Sequence, residues 1–236
     1  AGYFEAASFI APLGVATSPV DRSQGDVHGG GNPHFLSDPV QGLIIAKGIS
    51  ERFAALRPSS ADQFRRRFKE FRAELGKLLV GDELAAKYDF EKLVELHEHG
   101  RLMAFLESQK DALRLAGWIG ALRTLSGKEV VSDHDLWPYV ARRFGFKVQG
   151  FLEAKPGVAP TTRHLGEVIS LMRQRGIRGV LSTPYFDPRH AAFVAKQTGA
   201  LILELSHQTG GKGKDEGYFS FIDANVRMLA RLVDAK

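Results

Sequence analysis

Apolar residues between Glu129 and Leu152 change period twice. Val130 and Val131 form an apolar pair directly before the polar cluster Ser132-Asp133-His134-Asp135. Trp137, Val140, Ala141 and Phe144 then recur at three- and four-residue spacing, the period of a helix with one buried face. Gly145 stands where such a helix would end, and Phe146 to Leu152 reads as a second strand. This order places His134 at the carboxyl end of a strand, immediately before a helix, where open α/β sheets bind their ligands. A neutral imidazole there suits a metal, with Asp133 or Asp135 expected to hold its other ring nitrogen.

The same alternation continues downstream. Thr161 or Thr162 caps a helix with Leu165, Val168, Ile169 and Met172 on its apolar face, and Gly176 ends it. Ile177 to Ser182 is a buried strand. Asp187 caps a helix through Phe193 and Val194 to Gly199, Leu201 to Leu205 is a further strand, and Tyr218 to Ala235 is the last helix. Strands alternating with helices of this length predict a parallel sheet with crossover connections.

Upstream, residues 1–31 are loop-like, with a short strand expected from Phe9 to Val15 despite Pro12. Asp38 and Pro39 make a helix start that leads into Leu43, Ile45, Ile49 and Phe53. His34 therefore precedes a capped helix, as His134 does, and the two imidazoles are expected to converge across a cleft. His28 reads as a solvated loop residue. A long helix follows, with Phe64, Phe68, Phe71 and Leu75 on one face through Leu79. Residues 81–127 read as further helix, with His97 and His99 on its polar side.

Composition narrows the chemistry. The 236 residues include no cysteine, which excludes disulfides, thiolate metal sites and thiol nucleophiles. The net charge of +5 is spread along the chain, and the densest patch, Arg65-Arg66-Arg67, lies in an acidic-basic helix that reads as a solvated face and argues against nucleic-acid binding. No run is apolar enough to span a bilayer, and Ala1 starts without the basic and apolar regions of a signal peptide, so an exported protein would be read here in trimmed form.

Four motifs in register carry a resemblance. Asn32 to Pro39 is similar to an N-P-H-x-W-L-D-P element, with Phe35-Leu36-Ser37 as variants, and Val130 to Val140 to V-x-x-H-D-A-[FW]-x-Y-[FV]. Glu153 to Leu165 matches E-x-K-P-G-x-x-P-[ST]-x-x-[HQ]-L, and Pro184 to Ala191 matches P-Y-F-D-P-R-x-A. Together they resemble the extracytoplasmic solute-binding proteins of zinc and manganese ABC transporters, the zinc-uptake type, over nearly the whole chain from His28 onward. The resemblance implies an α/β fold of two lobes, with parallel sheets flanked by helices and a long linking helix at Ala61 to Leu79. It implies residues 1–60 in a first lobe, 61–127 as linking helix and helical insertion, and 128–236 as the second lobe. Nothing before His34 matches the strands and early ligand histidine with which that family begins, so the first lobe is expected to be incomplete and the chain as given to bind zinc more weakly than an intact homologue. The ligands implied are His34 from the first lobe and His134 from the second. The family's last ligand, a carboxylate, falls on Ser206, so Glu204 or His207 would have to replace it. The cargo implied is Zn2+, with Mn2+ as the alternative, since imidazole-rich sites suit zinc and carboxylate-rich sites manganese. The implied place is the periplasm or its equivalent, the implied partner an ABC transporter permease, and the implied role not enzymatic. The rivals are a metal-dependent hydrolase, which would need an open coordination position and a nearby base but has no H-E-x-x-H spacing, and a scaffold with incidental histidines. The glycine- and lysine-rich stretch from Gly210 to Gly217 is expected to become ordered as metal binds.

Overall fold

The computed structural model describes residues 3–21, 25, 28–210 and 217–234. The expectation for the 210–217 stretch falls on residues 211–216, outside the described residues. Two compact units are present: Ala1–Ala11 with Asp38–Arg123, and Pro12–Ser37 with Thr124–Lys236. These units cut across the boundaries read from the sequence after residues 60 and 127.

The first unit is helical among its described residues: α1 (Pro39–Leu56), α2 (Ala61–Val80), α3 (Asp82–Lys87), α4 (Phe90–Glu98), α5 (Leu102–Ser108) and α6 (Gly117–Ala121). Asp38 caps α1 by accepting from the Val40 amide at 2.9 Å, with Pro39 at the first turn. The long helix read over residues 61–79 is α2, and it lies wholly inside this unit. Residues 81–127, read as further helix, form four short helices and a 3-10 turn, Ala112–Arg114, interrupted where Gly81, Gly100 and Lys110 take positive φ. Gly76 lets α4 approach α2, since a Cβ there would lie 2.7 Å from the Phe90 ring. Asp111, 2% exposed, ties the segment together: its carboxylate accepts from Lys87 Nζ at 2.6 Å and from the Tyr88 hydroxyl at 2.5 Å, and pairs with Arg114 at 3.2 Å. The expected strand from Phe9 to Val15 is absent. Ala6–Phe9 is a 3-10 turn, and Pro12 and the positive φ of Gly14 interrupt extended pairing beyond it.

The second unit carries the sheet. Its strands are β1 (Glu129–Ser132), β2 (Lys147–Phe151), β3 (Gly179–Ser182) and β4 (Leu201–Glu204), in the order β2-β1-β3-β4 with every pair parallel. They alternate with α7 (Pro138–Phe144), α8 (Thr162–Arg175), α9 (Pro188–Thr198) and α10 (Tyr218–Asp234). Thr161 and Asp187 cap α8 and α9 by accepting from the amides of His164 and Arg189, and Gly145, Gly176 and Gly199 end α7, α8 and α9 in the left-handed region. At Gly145 the requirement is double, because a Cβ would also lie 2.8 Å from Ser126 Oγ.

Leu165, Val168, Ile169 and Met172 of α8 and Ala191 and Val194 of α9 pack with Val131 and Val180 into one apolar layer. Gly179, one residue before Val180 and so on the opposite face, meets Leu232 of α10. Helices thus cover both faces, as a parallel sheet requires, since neither face of its apolar strands tolerates water. Each large apolar side chain so buried contributes about 1.5–3 kcal/mol. The strand order reverses at β1: the chain steps from β1 to β2 on one side and returns to β3 on the other. The carboxyl ends of β1 and β3 therefore flank a switch point, where connecting loops diverge and leave room for a ligand.

Candidate metal centre

His134 follows β1 at this switch point and is 7% exposed. Its position is fixed through the main chain. The Asp133 carboxylate accepts from the His134 amide at 2.8 Å and from the Thr183 amide at 2.6 Å, and the Asp133 amide donates to Leu181 O at 2.9 Å. Asp133 thus clips the loop after β1 to the loop after β3. Burial raises its carboxyl above the usual range, against the hydrogen bonds from Thr183, His134 and Ser132. Asp133 is committed to backbone amides and does not hold the His134 ring, contrary to the expectation from sequence. Neither does Asp135, which burial also shifts upward.

Glu153 takes that role. Its Oε2 lies 2.8 Å from His134 Nδ1 and also accepts from the Gly157 amide at 2.8 Å. The carboxylate holds the ring in the tautomer with hydrogen on Nδ1, which leaves Nε2 as the donor. The Phe186 ring, stacked at 5.4 Å between centroids, covers the imidazole.

His34 belongs to the same compact unit as His134. The reason is a local tether. Asn32 Nδ2 donates to Asp135 O at 2.7 Å, the Tyr139 hydroxyl donates to Asn32 O at 2.9 Å, and Leu13 N donates to that hydroxyl at 3.0 Å. The Asn32 side-chain oxygen accepts from the His34 amide at 3.0 Å and closes the Asn-Pro-His turn. The His34 ring lies edge-on to two other imidazoles, His207 at 5.1 Å and His28 at 6.3 Å between centroids. His28, read as a solvated loop residue, is exposed but stands beside this cluster.

His207 follows β4. Burial, and then the nearby His134, lower its pKa below the ordinary imidazole value, a direction that favours the neutral form. Tyr185 packs edge-on against it at 5.1 Å. Glu204, the other candidate from sequence, is exposed at the end of β4. Ser206, the position of the family carboxylate, is buried, and its main chain is held by Asn225 of α10 at 2.9 and 2.7 Å.

Buried polar atoms without a hydrogen-bond partner among the described residues include Thr183 Oγ1, Ser206 Oγ and His207 Nδ1, all at the carboxyl ends of β3 and β4. Such atoms are rare in native proteins and ask for a water or an ion. Among the described residues no three His, Cys, Asp or Glu side chains are arranged, as they stand, to hold a metal ion. Sequence reasoning missed Glu153 as the partner of His134. The signal was present in the E-x-K-P-G motif, whose glutamate opens a turn directly beyond β2, the neighbour of β1.

The fold and this histidine cluster describe an α/β protein with a polar ligand site at the carboxyl edge of a parallel sheet. Residues 109–232 match the family described as ZnuA, Zinc-uptake complex component A periplasmic, and the chain belongs to that family. It is 24% identical over 167 residues to the high-affinity zinc uptake system protein ZnuA of Brucella abortus, a match covering 71% of this chain and 39% of that protein. The chain thus spans well under half the length of the curated relatives it matches. Among solved structures it is similar to the laminin binding protein Lmb of Streptococcus agalactiae, described as an adhesin with metal transporting activity, at a TM-score of 0.65 and 21% identity over 97% of this chain and 70% of that one. A structure of ZnuA matches at 0.63 and 18% identity over 98% and 68%. A Mn-bound periplasmic metal binding protein from Candidatus Liberibacter asiaticus matches at 0.61 and 16% identity over 96% and 70%. The expectation of an α/β fold with a parallel sheet flanked by helices is met. Among the described residues, no helix is long and apolar enough to cross a membrane.

Proposed function

We propose that this chain captures a divalent metal ion, zinc before manganese, in the periplasm and passes it to the permease of an ABC transporter, with His34 and His134 as donors. The observation that carries this reading is the His134–Glu153 pair at 2.8 Å. A buried imidazole with one nitrogen fixed by a carboxylate presents the other as a strong, oriented ligand. Family membership supports capture and delivery over catalysis, and the zinc uptake name of the Brucella relative supports the choice of zinc. Manganese is kept as the alternative cargo because structural neighbours include Mn-bound proteins. The proposed donors are imidazoles, which favour zinc.

Isothermal titration of the metal-free chain with zinc tests the reading. We expect one equivalent bound, and a loss of about 100-fold or more in affinity for His134→Ala and for His34→Ala. Wild-type affinity in both variants would remove His34 and His134 as donors.

A further inference from the structure

His134 is held through its ring by Glu153, whereas His34 is held through its main chain. Asn32 is buried, and each of its four polar atoms makes a hydrogen bond. Its amide donates to Leu13 O at 2.7 Å, and its carbonyl accepts from the Tyr139 hydroxyl at 2.9 Å. Its side-chain oxygen accepts from the His34 amide at 3.0 Å, and its side-chain nitrogen donates to Asp135 O at 2.7 Å. On the other side of the turn, the buried Ser37 hydroxyl donates to His34 O at 2.6 Å. Both main-chain polar groups of His34 are therefore committed. Ser37 stands where the N-P-H-x-W-L-D-P element has leucine, so this second bond belongs to this chain's own sequence. Asp135 and Tyr139 lie one and five residues beyond His134. Asn32 thus joins the turn that carries His34 to the segment that follows His134. The bridge needs both halves of an amide: aspartate would keep the acceptor for His34 but lose the donor to Asp135, and alanine would lose both.

We propose that Asn32 is a positioning residue for metal capture, which locks the His34 turn onto the segment after His134, with Ser37 closing the turn from its other side. The proposal rests on the reading of His34 and His134 as donors. Asn32 touches no metal in it and acts through the main chain of His34. Both imidazoles are then carried by one compact unit, Pro12–Ser37 with Thr124–Lys236. Groups held in place before a ligand arrives cost less to order when it binds, so losing the bridge weakens capture without removing a donor.

The test is zinc titration into the full chain, for the wild type, Asn32→Ala, His34→Ala, the two substitutions combined, Tyr139→Phe and His134→Ala, with thermal melts to establish that each variant folds. Hydrogen exchange of the metal-free chain follows the His34 amide beside the amides of β3. We expect Asn32→Ala to lose zinc affinity about 10-fold or more. Exchange at His34 should quicken in that variant while β3 keeps its protection, whereas a general loss of structure would expose both. With His34→Ala already in place, Asn32→Ala should change affinity by less than about twofold, because an effect that travels through His34 disappears with it. Tyr139→Phe deletes only the hydroxyl on Asn32 O, should show a smaller loss of the same kind, and carries the test if Asn32→Ala does not fold. Wild-type affinity in Asn32→Ala, or in Tyr139→Phe in its place, while His34→Ala and His134→Ala lose zinc, would overturn the positioning role and leave the two-histidine reading standing. An equal loss from Asn32→Ala with and without His34 would also overturn it. A wild-type chain that binds no zinc would overturn both readings.

Discussion

Glu153 decides what His134 can do. Without the carboxylate the ring would lose the partner that fixes its orientation and tautomer, which would weaken it in the proposed role of ligand. We expect Glu153→Gln to lower zinc affinity by roughly 10–100-fold with one equivalent still bound. Calorimetry across pH distinguishes this from a merely structural effect. The glutamine variant should show a changed pH dependence of zinc affinity, whereas simple loosening would shift affinity equally at every pH. His134 was legible in the sequence because the two-residue apolar strand and the following helical period locate it at a strand end. Its partner was not, because Asp133 and Asp135 are nearer in sequence. Both are excluded in three dimensions, Asp133 by its commitment to the amides of His134 and Thr183. His207 was legible only as an alternative to Glu204. Burial and contact with His34 and Tyr185 separate them, and neither is encoded locally.

At the scale of elements, the sequence signals that survive are those written in local chemistry. Asp38, Thr161 and Asp187 cap the helices they were expected to cap, and Gly145, Gly176 and Gly199 end theirs. The strand expected from Phe9 to Val15 failed because apolar content alone does not make a strand where Pro12 removes a donor and Gly14 takes positive φ. The helical reading of 81–127 is met as helix, broken into short segments where Gly81, Gly100 and Lys110 take positive φ. Close helix packing gives a prediction at this scale. Gly76→Ala improves helix propensity by about 1 kcal/mol, yet places a methyl 2.7 Å from the Phe90 ring. Overpacking of this kind costs about 1–3 kcal/mol, so we expect the variant to be destabilised on balance by chemical denaturation. A stabilised variant would mean that α4 shifts away from α2 without cost.

For the molecule as a whole, both units bury apolar side chains, and the first adds a polar hub at Asp111. Hydrogen bonds from Lys87, and then from Tyr88, hold the Asp111 carboxyl below its ordinary value, and the same contacts with Asp111 and Tyr88 raise Lys87. A carboxylate depressed in the folded state stabilises above its unfolded pKa, and that contribution is lost as pH falls through the folded value. The raised lysine contributes below its unfolded pKa and is lost as pH rises through its folded one. We expect Asp111→Asn to be less stable than the wild type between the ordinary aspartate and lysine values. The difference should narrow as acid protonates Asp111, as read from urea unfolding at a series of pH values. A difference independent of pH would assign the loss to packing. The second unit, with the sheet and its histidines, should respond to cargo instead: zinc at 100 times its dissociation constant adds about 2.7 kcal/mol to folding stability.

We propose above that the carboxyl edge of the sheet in the second unit holds the metal through His34 and His134. Anomalous diffraction at the zinc edge from crystals of the zinc-loaded chain tests it most directly. We expect a single strong peak about 2.0–2.1 Å from a ring nitrogen of His34 and from Nε2 of His134, with Glu153 still on Nδ1. A peak elsewhere on the molecule, with those two rings left unligated, would contradict it.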